Sequence, residues 1–99
     1  MSILITSANS AAAYQLKSKL NVDEVILGDY EELPALMLKS GKMIQLPSPK
    51  SASYSHQMLT LCLDKGIETI YPLRKEEAIL LKEAEQLFKE YDIFINTNF

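Results

Sequence analysis

Ser2-Ile3-Leu4-Ile5-Thr6-Ser7-Ala8-Asn9-Ser10 sets three adjacent apolar residues before a run of hydroxyl and amide side chains. The apolar triplet lacks polar alternation, so it reads as a strand covered on both faces, which is how strands of a parallel sheet look. The rest reads as a strand-to-helix turn. Asn9 or Ser10 stands where an N-cap is wanted, and Ala12, Ala13, Leu16 and Leu20 then recur near helical spacing. Strand, turn and helix in that order are the repeating unit of an α/β domain.

The unit repeats along the chain. Val25-Ile26-Leu27, Met43-Ile44-Gln45-Leu46, Thr69-Ile70-Tyr71 and Ile93-Phe94-Ile95 give four more short apolar runs, and helical stretches separate them. The run broken by Gln45 reads as an edge strand. Leu33 to Leu38 forms a short helical piece, with Pro34 tolerable in its first turn and Gly41 closing it. Tyr54, Met58, Leu61 and Cys62 stripe a helix that Gly66 terminates. A single long helix is expected to carry Leu80, Ala84, Leu87, Phe88 and Tyr91 on one face, with a Glu85–Lys89 pair four residues apart on its surface. The expected fold is therefore a three-layer Rossmann-like α/β domain, a parallel sheet of about five strands with helices on both faces.

Ninety-nine residues suffice for one core, so the whole chain, 1–99, is read as one domain. Ten basic against thirteen acidic residues, with no dense basic cluster, argue against nucleic acid or an anionic membrane as partner. Met1 leads directly into the first strand without a basic leader, and no apolar run reaches membrane-spanning length. The lone Cys62 has no internal partner, so a reducing, cytoplasmic setting is expected. The chain stops at Asn96-Thr97-Asn98-Phe99, just past the fifth run, where many doubly wound proteins continue.

An open parallel sheet binds ligands beyond the carboxyl ends of its strands, where the strand order reverses. That rule nominates Thr6, Ser7, Asn9 and Ser10 after the first strand, Asp29 with Tyr30 after the second, and Arg74 with its neighbours after the fourth. Hydroxyls and N–H groups at a helix start suit a phosphate or carboxylate, although helix capping alone accounts for the same residues. The loop has no glycine to let a pyrophosphate approach, so Asp29 reads as a turn-former before it reads as a ribose ligand. Arg74 and Lys75 suit an anion, while Glu76 and Glu77 beside them make a solvated charge run the plainer reading. His56 and Cys62 lack the third group a catalytic set needs, and no metal-ligand spacing is present, so no catalytic or metal-binding residue is expected.

Taken together, several segments resemble one family over nearly the whole chain. Ser2-Ile3-Leu4-Ile5-Thr6-Ser7, Gly28-Asp29-Tyr30, Leu33-Pro34-Ala35-Leu36, Lys42-Met43-Ile44-Gln45-Leu46-Pro47 and Gly66-Ile67-Glu68-Thr69-Ile70 through Tyr71-Pro72-Leu73-Arg74-Lys75-Glu76-Glu77 are similar to the front, pre-ATP-grasp domain of carbamoyl-phosphate-synthase-like ATP-grasp ligases. Relatives often carry Gly and Arg in the first loop, where this chain has Ala8-Asn9-Ser10-Ala11. The resemblance implies a noncatalytic accessory or substrate-binding part of an ATP-dependent carboxylate–amine ligase, without the ATP-grasp catalytic domain. ATP and magnesium are implied for that other domain only, and an ATP-grasp domain or ligase subunit is the implied partner. The alternative reading is an autonomous binding protein for a nucleotide or small anionic metabolite. A homo-oligomer stays open, because edge strands and apolar helix faces can be covered by a second copy.

Overall fold

The computed structural model describes residues 2–20, 24–41 and 43–97. Met1, Lys42, Asn98 and Phe99, which the sequence reading draws on, lie outside the described residues. Five strands, β1 (Ser2–Ile5), β2 (Val25–Asp29), β3 (Met43–Gln45), β4 (Ile67–Tyr71) and β5 (Phe94–Ile95), form one sheet in the order β3-β2-β1-β4-β5. Every pairing is parallel. β1 is central, β3 is an edge as its Gln45 foretold, and the order reverses between β1 and β4.

Alternate strand residues face opposite helical layers, as a pleated strand requires. Ile5, Leu27 and Met43 pack with Ala13 and Leu16 of α1 (Ala11–Leu20), and Met37 of α2 (Ala35–Lys39) lies against the same cluster. Leu4, Ile70 and Ile95 pack on the other side with Tyr54, Met58, Leu59 and Cys62 of α3 (Tyr54–Lys65), Leu81 of α4 (Lys75–Glu83) and Phe88 of α5 (Glu85–Lys89). The domain is thus a three-layer α/β Rossmann-like sandwich. The two outer layers are unequal, because α2 contributes no buried residue while α3 alone contributes four.

Local chemistry sets the ends of these elements. The Ser10 hydroxyl accepts the Ala13 N–H at 3.2 Å and donates to the Ser7 carbonyl at 2.8 Å, so Ser10 is the cap that starts α1. Gly66, at φ 67°, ends α3 in the left-handed cap that glycine adopts without strain, its N–H bonding to the Cys62 carbonyl. At Gly28 a Cβ would stand 2.9 Å from the Leu46 side chain, so glycine there lets β2 and the residue after β3 close together.

The expected single final helix is corrected to two. Ala84, at φ −98° and ψ 10°, breaks it, its N–H reaching both the Leu80 and Leu81 carbonyls. The break re-aims the chain so that Leu81 and Phe88 are both fully buried, while Tyr91 is 50 % exposed instead of completing the apolar stripe. It also changes the surface pairing: Glu85 takes Lys82 Nζ at 3.0 Å as its ion-pair partner, in place of the expected Lys89.

Candidate functional site

The strand order brings the loops after β1, β2 and β4 side by side at one end of the sheet. Backbone bonds stitch the first loop to both neighbours: Thr6 N–H donates to the Tyr71 carbonyl and Ala8 N–H to the Gly28 carbonyl. The Thr6 side chain, fully buried, accepts the Leu73 N–H at 2.9 Å and so fixes the loop that carries Arg74. Ser7 holds a positive φ of 57°, and this left-handed residue turns the chain from strand toward helix.

Asp29 and Arg74, forty-five residues apart, meet across this end. Arg74 Nη2 donates to Asp29 Oδ1 at 3.1 Å and Oδ2 at 3.2 Å, and the same nitrogen reaches Glu31 Oε1 at 2.5 Å. The Asp29 side chain is fully buried, whereas Glu31 is more than half exposed. The guanidinium also lies over the Tyr30 ring, 4.7 Å from its centroid. Burial works against the charge on Arg74, but hydrogen bonds and charge from Asp29 and Glu31 outweigh it and raise its pKa. Asp29 is a turn-former as well, its Oδ1 accepting the Glu31 N–H at 3.3 Å.

Two further residues complete the arrangement, and sequence reasoning missed both roles. Gln45 Nε2 donates to the carbonyls of Asp29, Tyr30 and Glu31 at 3.0, 2.9 and 3.3 Å, gathering the loop after β2 from the edge strand. Its signal was present, a lone amide ending an apolar run. Glu77 is 0 % exposed, contrary to its reading as part of a solvated charge run. Its Oε1 accepts the Tyr54 hydroxyl at 3.0 Å, and its Oε2 carries no hydrogen bond. Burial pushes the Glu77 pKa up, opposed by the Tyr54 hydroxyl, more weakly by that of Thr6 and by the charge of Arg74, while Asp29 adds to the rise.

Of the nominated residues, Thr6, Asp29 and Arg74 converge at the carboxyl end of the sheet, Ser7 and Ser10 serve the turn and cap, and Asn9 is exposed. Thr6 and Asp29 are buried and engaged within the protein, Glu31 is exposed, and Arg74 is an engaged cation. Cys62 is buried and burial pushes its thiol up to about 12, so it is a poor nucleophile, and His56 lies on the exposed side of the same helix. Among the described residues no group of three or more His, Cys, Asp and Glu could hold a metal ion. A separate open hollow of about 440 Å³ runs along α3 beside His56, Thr60, Leu61 and Lys65, and no residue of the strand-end loops lines it. No helix among the described residues is long and apolar enough to cross a membrane.

Compared with known proteins, residues 3–95 match the family model described as PylC-like, N-terminal domain. That span takes in all five strands but for Ser2 at the start of β1, and every loop at the carboxyl end of the sheet. No curated protein matches the chain.

Proposed function

We propose, because the chain belongs to the PylC-like N-terminal domain family, the pre-ATP-grasp domain of ATP-grasp ligases, that it serves as the noncatalytic, substrate-side part of a carboxylate–amine ligase of the carbamoyl-phosphate-synthase-like kind. The observation that carries this reading is the clasp at the carboxyl ends of β1, β2 and β4, inside the matched span, where Arg74 is held by Asp29 and its loop is fixed by Thr6 through the Leu73 N–H. Such a clasp fixes the shape of the strand-end face against which a substrate is oriented and leaves the phosphoryl chemistry to a neighbouring domain. The family's nucleotide and magnesium belong to that neighbour. In this chain the first loop has no glycine, its Thr6, Ala8 and Ser10 N–H groups are spent within the protein, and Arg74 faces two carboxylates. These residues do not fit ATP phosphates.

The alternative, an autonomous receptor for a nucleotide or small anion, draws less support for the same reason: an anion would have to take Arg74 from Asp29 and Glu31. The test is direct. The pure chain is expected to turn over no ATP with magnesium and to form a stable complex with an ATP-grasp domain in isothermal titration calorimetry. Sustained magnesium-dependent turnover by the chain alone would overturn the reading. A thermal shift with a nucleotide or carbamoyl phosphate, abolished by Arg74→Ala, would favour the receptor instead.

A further inference from the structure

Glu77 stands in the first turn of α4, three residues after Arg74, yet it is wholly buried. Its closest hydrogen-bond partner, Tyr54, at 3.0 Å, belongs to the apolar cluster of Leu4, Met58, Ile70 and Leu81, and the Thr6 hydroxyl assists more weakly. An ionised carboxylate in such a place asks for a paired cation or donors on both oxygens, and a phenol with a weaker hydroxyl, leaving Oε2 bare, is too little. The nearest cation is already engaged: Arg74 gives Nη2 to Asp29 and Glu31. Its Nε, however, is buried with no partner, as is Glu77 Oε2. One turn of chain therefore holds an unused donor and an unused acceptor, and the acceptor binds a cation strongly only when it is charged.

We propose that Glu77 is carried as the neutral acid in the folded domain and acts as a proton-linked restraint on the loop between β4 and α4, so that the Arg74–Asp29 geometry of the crevice persists only while that proton is retained. Once Glu77 ionises, its carboxylate competes for Arg74 through Nε, and the grip on Asp29 and Glu31 loosens. The proposal deepens the functional reading above and rests on it only for what the crevice serves.

The groups around Glu77 agree with this. Tyr54 faces it from α3, Thr6 from the loop after β1, Arg74 from the loop before α4, and Asp29 from the end of β2. Tyr54 is itself driven far above its ordinary value, by burial first and by Glu77 next, so it remains a donor throughout. Cys62, beside Tyr54, is also held protonated. Neither supplies a compensating change of charge. The direction follows from linkage: a glutamate raised in the folded state contributes stability that is complete below its unfolded value and is lost as pH rises to the folded one.

The experiment compares urea unfolding of the wild-type chain and Glu77→Gln from about pH 4 to about pH 8. Carboxyl carbon and arginine Nε–H NMR titrations of the wild type run alongside. Relative to Glu77→Gln, whose amide oxygen can still accept from Tyr54, the wild-type folding constant is expected to fall by up to about tenfold per pH unit above the ordinary glutamate range. The Glu77 carboxyl signal should titrate in that same raised window, and the Arg74 Nε–H signal should move with the same midpoint. A wild-type-to-variant ratio that stays constant with pH, or a Glu77 carboxyl that titrates in the ordinary range, overturns the proposal. An Arg74 Nε–H that ignores the titration overturns the link to the crevice. Should Glu77→Gln fail to fold, the wild-type titrations decide alone. No readout involves a ligase or a ligand, so failure of the functional reading would leave these results unchanged.

Discussion

Asp29 and Glu77 share one end of the sheet, and each is removed from water almost completely, at 1 % and 0 % exposure. They meet the cost of burial in opposite ways. Asp29 keeps its charge company with the Arg74 guanidinium, brought in from the far side of the topological switch. Glu77, only three residues from that arginine, has the Tyr54 hydroxyl on one oxygen and no hydrogen bond on the other, and its pKa rises. Nearness in sequence did not decide which carboxylate obtained the cation. The side of the sheet did: Asp29 ends a strand facing Arg74 across β1, while Glu77 turns back into the helical layer of α3.

The contrast can be broken most severely at its centre. Arg74→Ala leaves the Asp29 carboxylate buried without its cation, and urea denaturation should register a loss of about 3 kcal/mol. A loss no larger than that of a surface mutation would mean the Arg74–Asp29 pair does not hold this end of the sheet together. Tyr54→Phe removes the strongest donor to Glu77, with an expected cost of about 1.5 kcal/mol at pH above the raised window in which Glu77 titrates. That cost should shrink below the window, where Glu77 holds its proton and needs the donor less. Equal costs at both ends of the pH range would erase the distinction between the two carboxylates.

Smaller effects sharpen the picture. Gln45→Ala removes a donor from three carbonyls of the loop after β2, and about 1 kcal/mol should go with it, since the Tyr30 and Glu31 carbonyls are exposed enough to find water and that of Asp29 keeps the Leu46 N–H. Amide hydrogen exchange should quicken at Glu31 while the β1–β4 pairing stays protected. Glu31→Ala removes the outer, exposed half of the clasp and should cost under about 1 kcal/mol, falling further in high salt. A larger, salt-insensitive cost would make Glu31, and not Asp29, the principal anchor of Arg74.

How much of this was readable in advance depends on the distance over which each feature is determined. The strands, the Ser10 cap and the Gly66 stop are local, and the apolar runs and turn residues announce them. The edge position of β3 was likewise announced by Gln45. The break at Ala84 was not, because Leu80, Ala84, Leu87 and Phe88 keep helical spacing across it. It arises from the need to bury both Leu81 and Phe88 and return to β5. At the site, the topological rule nominated Asp29 and Arg74 separately. Their opposite charges were the available hint that they would bind each other. Glu77 gave no hint of burial within Lys75-Glu76-Glu77, since a charge run looks alike whether or not one member turns inward, and only Tyr54 on the facing helix explains it.

The margins of the sheet carry one more consequence. β3 has three residues, is followed by Pro47 and Pro49, and its last side chain folds back onto the neighbouring loop; β5 has two residues. A strand arriving from another molecule finds almost no ladder to extend at either border. The domain is therefore poor raw material for fibres, and the exposed Phe94 on β5 marks the border where sticking would begin.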